Sequence, residues 1–317
     1  MRVWGRTSMP TQFTVRYGKH PLRLDQQSAP VETTFAHDHT GSVELTGLEP
    51  ATRYYYRVFI DDKPQGQPAS FRTLPSSEQS RNEQYNPRGL FNFRFEIGSC
   101  ASQNPLHGLG HSLPIYTTML REIRDKVDFH IMNGDWLYEE QRQFPAAAWL
   151  AERGLNAGNA PEIIDLAPTI TGVWQNYKLY MSRGTNLAEW HRNVPSMFTF
   201  DDHELVNDIW GCGTIGRRHR RTVFRDIGVQ AWHDYLGWAN PKAHSTPTHF
   251  GKAQLTAGSD LLRDESADFT KLPLDKMANL HVHWGTSTAG VNEMKYDDDS
   301  GDPNSKVYGI VKVVDKH

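Results

Sequence analysis

The sequence has few cysteines that could cross-link the chain through disulfides, and it lacks long apolar runs that could span a membrane. Only two of its 317 residues are cysteines, Cys100 and Cys212. This excludes a disulfide framework and leaves stability to a hydrophobic core. No apolar run is long enough to span a bilayer. The net charge of -3 excludes a generally basic protein that coats nucleic acid. A chain of this length can form two domains.

The first residues lack the apolar segment and small-residue cleavage site of a secretory signal. We therefore expect a cytoplasmic protein as the sequence stands, or a secreted or periplasmic one if the sequence starts within a longer chain. The other end, Val307 to Val314, alternates like a strand and stops shortly afterwards at His317. That abrupt end favours a fragment.

Residues 1–74 alternate between apolar and polar side chains with the period of a β-strand. Phe13, Val15 and Tyr17, for example, should share one face. The stretch from Leu48 to Tyr54 resembles the fibronectin type III pattern, in which a tyrosine near a strand start fastens the preceding corner. We expect a fibronectin III-like β-sandwich over residues 1–74, followed by a polar linker over residues 75–90.

Residues 91–243 carry the pattern of an α/β domain. An alternating strand, a helix-spaced segment and the apolar run at 129–132 predict a β-α-β unit with parallel strands. A third strand precedes Asp201, and an amphipathic helix is predicted between residues 217 and 238. Residues 244–317 look like a mostly β extension or insertion. These patterns therefore predict a fibronectin III-like β-sandwich followed by an α/β sheet domain.

Polar side chains follow the ends of these predicted strands. Asp135 ends one apolar run, the block Asp201-Asp202-His203-Glu204 ends another, and Cys100 follows the first strand. Carboxyl ends of parallel strands meet at one sheet edge, so these groups should converge there. Carboxylates suit calcium, magnesium or manganese, whereas imidazole and thiolate suit transition metals. The pattern favours a metal-dependent hydrolase, in which a carboxylate bridging two cations activates water.

Each of these motifs taken singly also fits a plain structural role. Asp135 could cap a turn, the acidic block could begin a helix, and Cys100 could be a small buried apolar residue. A carboxylate-pair glycosidase using Asp135 with Asp201 or Glu204 is a further hypothesis that needs no metal.

The motifs together resemble the alkaline phosphatase D (PhoD-like) family of metallophosphoesterases. The resemblance is carried by Gly98-Ser99-Cys100, by the segment from Asn133 to Glu139, and by residues 201–204 with Asn207. The β-rich module in front is similar to that family's layout, so the resemblance implies a fold class of β-sandwich followed by a partial metallophosphoesterase-like α/β sheet domain. The resemblance implies hydrolysis of phosphate monoesters or diesters with iron and calcium, other divalent metals being possible. The implied substrate is a small phosphate ester, with nucleic acid only as a possible phosphodiester substrate; nothing in the sequence indicates an oligomeric state.

The resemblance also implies roles for individual residues. The family's thiolate ligand to iron falls on Cys100, its bridging carboxylate on Asp135, and further metal ligands on Asp202 and Asn207. His203 would contact the substrate phosphate or protonate the leaving group. The family also has a tyrosine that ligates iron, and three aromatic residues lie where it should align: Trp174, Tyr177 and Tyr180. A tryptophan at that position could not bind the metal.

The family also continues beyond this stretch, with further strands and metal ligands. The resemblance therefore predicts a C-terminally incomplete member, and a catalytically incomplete fragment acting at most as a binding module is the alternative function. His281 and His283 lie on one face of a predicted strand and could replace missing ligands, although outward-facing polar residues of that strand are the simpler interpretation. The basic run 217–221 equally fits a phosphate clamp or an exposed helix start.

Overall fold

The computed structural model describes ten stretches of the chain: residues 1–103, 110–138, 144–145, 163–164, 170–204, 220–240, 253–271, 280–283, 305–308 and 312–317. The chain divides into two compact units. The first comprises Met1–Leu137, Lys178–Asp201 and His233–His244. The second comprises Tyr138–Tyr177, Asp202–Trp232 and Ser245–His317.

The strands of the described stretches are β1 Arg2–Arg6, β2 Thr11–Gly18, β3 Gln26–Gln27, β4 Val31–Thr33, β5 Thr40–Glu44, β6 Arg53–Ile60, β7 Lys63–Arg72, β8 Phe95–Gly98, β9 Phe129–Asn133, β10 Phe144–Pro145, β11 Ile163–Ile164, β12 Ser196–Thr199, β13 Gln254–Leu255, β14 Leu262–Arg263, β15 Leu280–His283 and β16 Ser305–Tyr308. The α-helices are α1 Ser77–Ser80, α2 Pro114–Glu122, α3 Ile170–Arg183, α4 Thr185–Asn193 and α5 Arg220–Tyr235. Short 3₁₀ turns cover Phe35–His37, Gly110–Ser112, Asp202–Glu204, Gly237–Ala239 and Phe269–Lys271.

Two antiparallel sheets form the N-terminal part of the first unit. One pairs β1 with β5, and the other has the order β3-β2-β6-β7 with β4 also paired to β2. The predicted inward face of β2 is confirmed, since Phe13, Val15 and Tyr17 are all buried. They pack in one cluster with Val3 of β1 and with Leu45, the residue after β5. Each such buried side chain stabilises the fold by roughly 1.5–3 kcal/mol.

Tyr54 fastens the corner before β6, as the sequence pattern predicts. Its ring is 1% exposed and stacks on Phe71 with centroids 5.7 Å apart. Its hydroxyl oxygen accepts a hydrogen bond of 3.0 Å from the backbone N–H of Glu49. The bond spans the turn, so it fixes how the chain enters the strand.

We expect Tyr54→Phe to destabilise the chain by about 1–2 kcal/mol, because the N–H of Glu49 loses its partner while the ring stays in place. Tyr55→Phe is the matched control, since Tyr55 is only half-buried and its change should stay within about 0.5 kcal/mol. Urea unfolding of both variants measures the difference. Equal midpoints for the two would contradict a stabilising corner.

The stretch predicted as a polar linker contains a short helix. In α1, the Ser76 hydroxyl accepts from the Gln79 N–H at 3.2 Å, and the Gln79 side chain accepts from the Ser76 N–H at 3.1 Å. This reciprocal capping box satisfies two donors that an isolated helix start leaves open. The sequence signal, a serine three residues before a glutamine, was present in the stretch. The domain boundaries predicted from the sequence stay predictions.

The α/β part of the first unit is confirmed as a parallel sheet. Its order is β12-β9-β8, and both strand pairs run parallel. Met132 of β9 and Phe198 of β12 are buried. Within the described stretches β8 is an edge strand, and its Phe95 and Ile97 are 47% and 58% exposed. The coarse fold class, β-strand sheets followed by mixed sheet and helix, is therefore as predicted.

In its described stretches, the second unit contains three antiparallel strand pairs, β10 with β11, β13 with β14, and β15 with β16. The strand predicted over Val307–Val314 is confirmed at Val307 and Tyr308, which lie in β16 and pair with β15. It is wrong at residues 312–314, which are not in a strand, and residues 309–311 lie outside the described stretches. The helix predicted within 217–238 is confirmed as α5. Among the described helices none has the length and apolar character needed to cross a bilayer.

Candidate metal centre

The carboxyl ends of β8 and β9 turn through unusual backbone. Gly134 and Asp135 follow β9 with φ of +81° and +54°, and Cys100 follows β8 with φ of +59°. For aspartate and cysteine this left-handed conformation costs of order 1–3 kcal/mol, and such residues cluster at functional sites. Both strained residues are ones that the sequence marked as candidate ligands.

The two loops are tied to each other by hydrogen bonds. The Cys100 thiol donates to a carboxylate oxygen of Asp135 at 3.3 Å, and the backbone N–H of Ala101 donates to the Asp135 carbonyl at 2.8 Å. The Cys100 N–H adds a longer bond of 3.4 Å to the Gly134 carbonyl. The prediction that Cys100 and Asp135 share one sheet edge is thus confirmed. The alternative of Cys100 as a buried apolar residue is wrong, because Cys100 is exposed.

The loop after β12 lies against the same edge. A Cβ added to Gly134 would lie 2.6 Å from the Asp201 Cβ and 2.9 Å from its backbone nitrogen. Only glycine allows this approach, for steric reasons as well as for its φ. Thr199 also donates to the side-chain oxygen of Asn133 at 3.2 Å. The ends of all three parallel strands therefore converge, as their order requires.

Asp202 and His203 follow Asp201 directly, in the 3₁₀ turn Asp202–Glu204. Asp202 offers a carboxylate and His203 an imidazole. Carboxylates, such as those of Asp135 and Asp202, and imidazole are donors that divalent cations accept in proteins, so these residue types fit a metal ion. His203 packs against Tyr138 with ring centroids 3.9 Å apart and the rings tilted, which limits the imidazole's rotation.

The remaining predicted site residues either lie outside the described residues or belong to other elements. Asn207, the fourth predicted metal ligand, lies outside the described residues, as does Cys212. The three aromatic candidates for a tyrosine ligand all lie on α3 and are all fully buried, so burial does not distinguish among them: Trp174, Tyr177 and Tyr180. His281 and His283 are in β15.

A buried polar cluster behind the sheet edge was missed by sequence reasoning. His130 lies within the apolar run of β9, fully buried, and its Nδ1 bonds to the carboxylate of Glu96 on β8. Burial lowers the pKa of His130, and the Glu96 charge only partly opposes this. The pair follows from the parallel register, which places Glu96 opposite His130 and which the sequence pattern does not show. A polar residue inside an apolar run needs such a partner.

The comparisons with known proteins agree with this geometry. The model of the PhoD-like phosphatase family matches residues 95–256, just over half of the chain. The chain belongs to this family. The N-terminal domain of purple acid phosphatase matches residues 2–73 of this PhoD-like chain. That match covers the two antiparallel sheets; the finer fibronectin III-like assignment stays a prediction.

A curated relative of this PhoD-like chain is alkaline phosphatase D of Bacillus subtilis (strain 168). The two are 27% identical over 171 residues, 54% of this chain and 25% of the relative. A solved structure of PhoD superimposes with a TM-score of 0.55 at 20% identity, covering 80% of this chain and 46% of that one. That likeness concerns the fold. The PhoD-like chain thus spans about a quarter of its curated relative and under half of the solved PhoD chain.

Proposed function

We propose that this PhoD-like chain carries a metal centre for hydrolysis of phosphoric esters. The observation that supports it best is the meeting of three strand ends at one edge, with Cys100 and Asp135 hydrogen-bonded there and Asp201 against Gly134. Family membership independently points to phosphatase chemistry. Monoesters and diesters are both candidate substrates.

The proposed ligands are Cys100, Asp135, Asp202 and Asn207. A thiolate is a soft donor and favours a transition metal such as iron, whereas carboxylates are hard donors and suit calcium. The family resemblance implies iron together with calcium, and we propose this pair, with which the donor types are compatible. When bound, such metals would lower the pKa of a coordinated water and neutralise charge on the phosphate.

The chain's own groups have separate tasks in this proposal. Asp135 is 9% exposed, and its hydrogen bonds to Cys100 and Ala101 fix the carboxylate before any ligand arrives. His203, held against the Tyr138 ring, would contact the substrate phosphate or pass a proton to the departing alcohol. The loops with left-handed backbone would hold the ligand side chains rigidly in position. Catalysis of phosphoryl transfer depends mainly on such positioning and on electrostatic stabilisation.

The test combines metal analysis with turnover. The purified chain is assayed for iron and calcium, and for hydrolysis of an aryl phosphate monoester and the matching diester. We expect bound metal, hydrolysis of at least one ester, loss with a chelator, and recovery on adding metal back. Metal below roughly a tenth of a site per chain would contradict the proposal, since formed sites bind tightly. Chelator-resistant cleavage of a glycoside would instead support a carboxylate pair.

A further inference from the structure

The residue after Asp135 is anchored by its side chain. Trp136 is 1% exposed, and its indole N–H donates to Nε2 of His191 at 3.0 Å. His191 lies on α4, an element separate from the loops of the metal centre. Because Asp135 and Trp136 share a peptide bond, the indole anchor restricts where the Asp135 carboxylate can lie.

The other side of the same imidazole is anchored too. His191 Nδ1 lies 2.8 Å from the Ser196 hydroxyl oxygen, and that hydroxyl donates to the Val194 carbonyl at 3.0 Å. The serine hydrogen is used by Val194, so the serine oxygen must accept from His191. Trp136 can only donate, so Nε2 must accept. One neutral imidazole, with its hydrogen on Nδ1, satisfies every bond in this series.

The surroundings keep this ring neutral. Burial lowers the pKa of His191 well below its usual value, and the nearby His130 lowers it further. The two rings lie 5.5 Å apart, and His130 in turn pairs with Glu96. A protonated His191 would turn an N–H toward the indole N–H, and the anchor would be lost.

We propose that Trp136 and His191 are positioning residues that hold the Asp135 carboxylate in its place at the metal centre. This inference rests on the proposed function, in that it takes Asp135 as a metal ligand. His191 links the loop after β9 to Ser196 at the start of β12. It therefore couples the two strands that deliver Asp135 and Asp201.

Three variants separate this role from core packing. Trp136→Phe removes the donor, His191→Leu removes the acceptor at similar volume, and His191→Gln offers an amide oxygen to the indole. In metal-free protein, the rate of hydrogen exchange at the Ala101 amide shows whether the loop after β9 keeps its conformation, since that amide donates to the Asp135 carbonyl. The affinity for Mn²⁺ shows whether the Asp135 carboxylate is correctly placed. It is measured from the decrease of the free-ion signal in electron paramagnetic resonance.

In Trp136→Phe and His191→Leu we expect the Ala101 amide hydrogen to exchange faster than in wild type. Both variants should also bind Mn²⁺ about 10-fold more weakly. His191→Gln should restore both to near wild type. Trp4→Phe is the matched control. Its indole donates to the Asp234 carbonyl at 2.8 Å, so neither measurement should change.

Two outcomes would overturn the inference: unchanged Ala101 exchange in Trp136→Phe and His191→Leu, or a His191→Gln variant as impaired as His191→Leu. If His191→Leu does not fold, Trp136→Phe and His191→Gln still decide. Absence of Mn²⁺ binding in the wild-type chain would count against the proposed function instead, while Ala101 exchange would still test the anchor.

Discussion

Asp135→Asn should reduce kcat/KM for an aryl phosphate by at least about 100-fold, since changes merely beside a metal ligand already cost 10–100-fold. The amide oxygen can still accept from the Cys100 thiol and the backbone bond from Ala101 stays, so the loop keeps its shape. What is lost is the negative charge that holds the cation. Bound metal should fall together with activity.

The same variant should leave the melting temperature of the metal-free chain unchanged or raise it. A carboxylate that is 9% exposed costs desolvation energy, and a neutral amide costs less. Such a gain in stability with a loss of activity is typical of functional residues. Asp128→Asn is the matched control at the other end of β9; its carboxylate accepts from the Arg94 N–H. Full turnover in Asp135→Asn would reject the assigned role.

Gly134→Ala should destabilise the chain by more than about 3 kcal/mol. The φ of +81° costs an alanine about 1–2 kcal/mol, and its methyl would lie 2.6 Å from the Asp201 Cβ and 2.9 Å from the Asp201 nitrogen. The loop after β9 and the loop after β12 must then separate. Denaturant unfolding measures the cost, and metal binding should weaken in the fraction that still folds.

Gly258→Ala separates the steric effect from the backbone effect. Gly258 has a φ of +78°, nearly the same as Gly134, but a Cβ there meets nothing within 4 Å. Its alanine should cost only about 1–2 kcal/mol, the backbone part alone. Similar losses in the two variants would mean that the contact between Gly134 and Asp201 contributes nothing.

Local patterns carried much of what the sequence predicted. Alternation placed Phe13, Val15 and Tyr17 on one buried face, and the β-α-β pattern implied parallel strands whose ends meet. The convergence of Cys100 with Asp135 follows from that geometry alone. The tyrosine corner at Tyr54 was equally local, since its partner lies five residues earlier.

What the sequence did not predict depends on pairing between distant segments. The bond between Glu96 and His130 exists because the register sets them opposite each other, which no local pattern reveals. The last strand was predicted too far toward the C-terminus, because apolar residues recur from Val307 to Val314, whereas pairing with β15 involves Ser305–Tyr308. The link from Trp136 to His191 joins residues 55 positions apart.

The left-handed backbone at Cys100 and Asp135 has a consequence for engineering. Transplanting the donor side chains onto another parallel sheet would not reproduce the centre, because an ordinary loop relaxes toward right-handed conformations. The recipient must also receive Gly134 and the hydrogen bonds that join the two loops. The loops after β8 and β9 would therefore have to be transferred together, with their backbone conformation and their connecting hydrogen bonds.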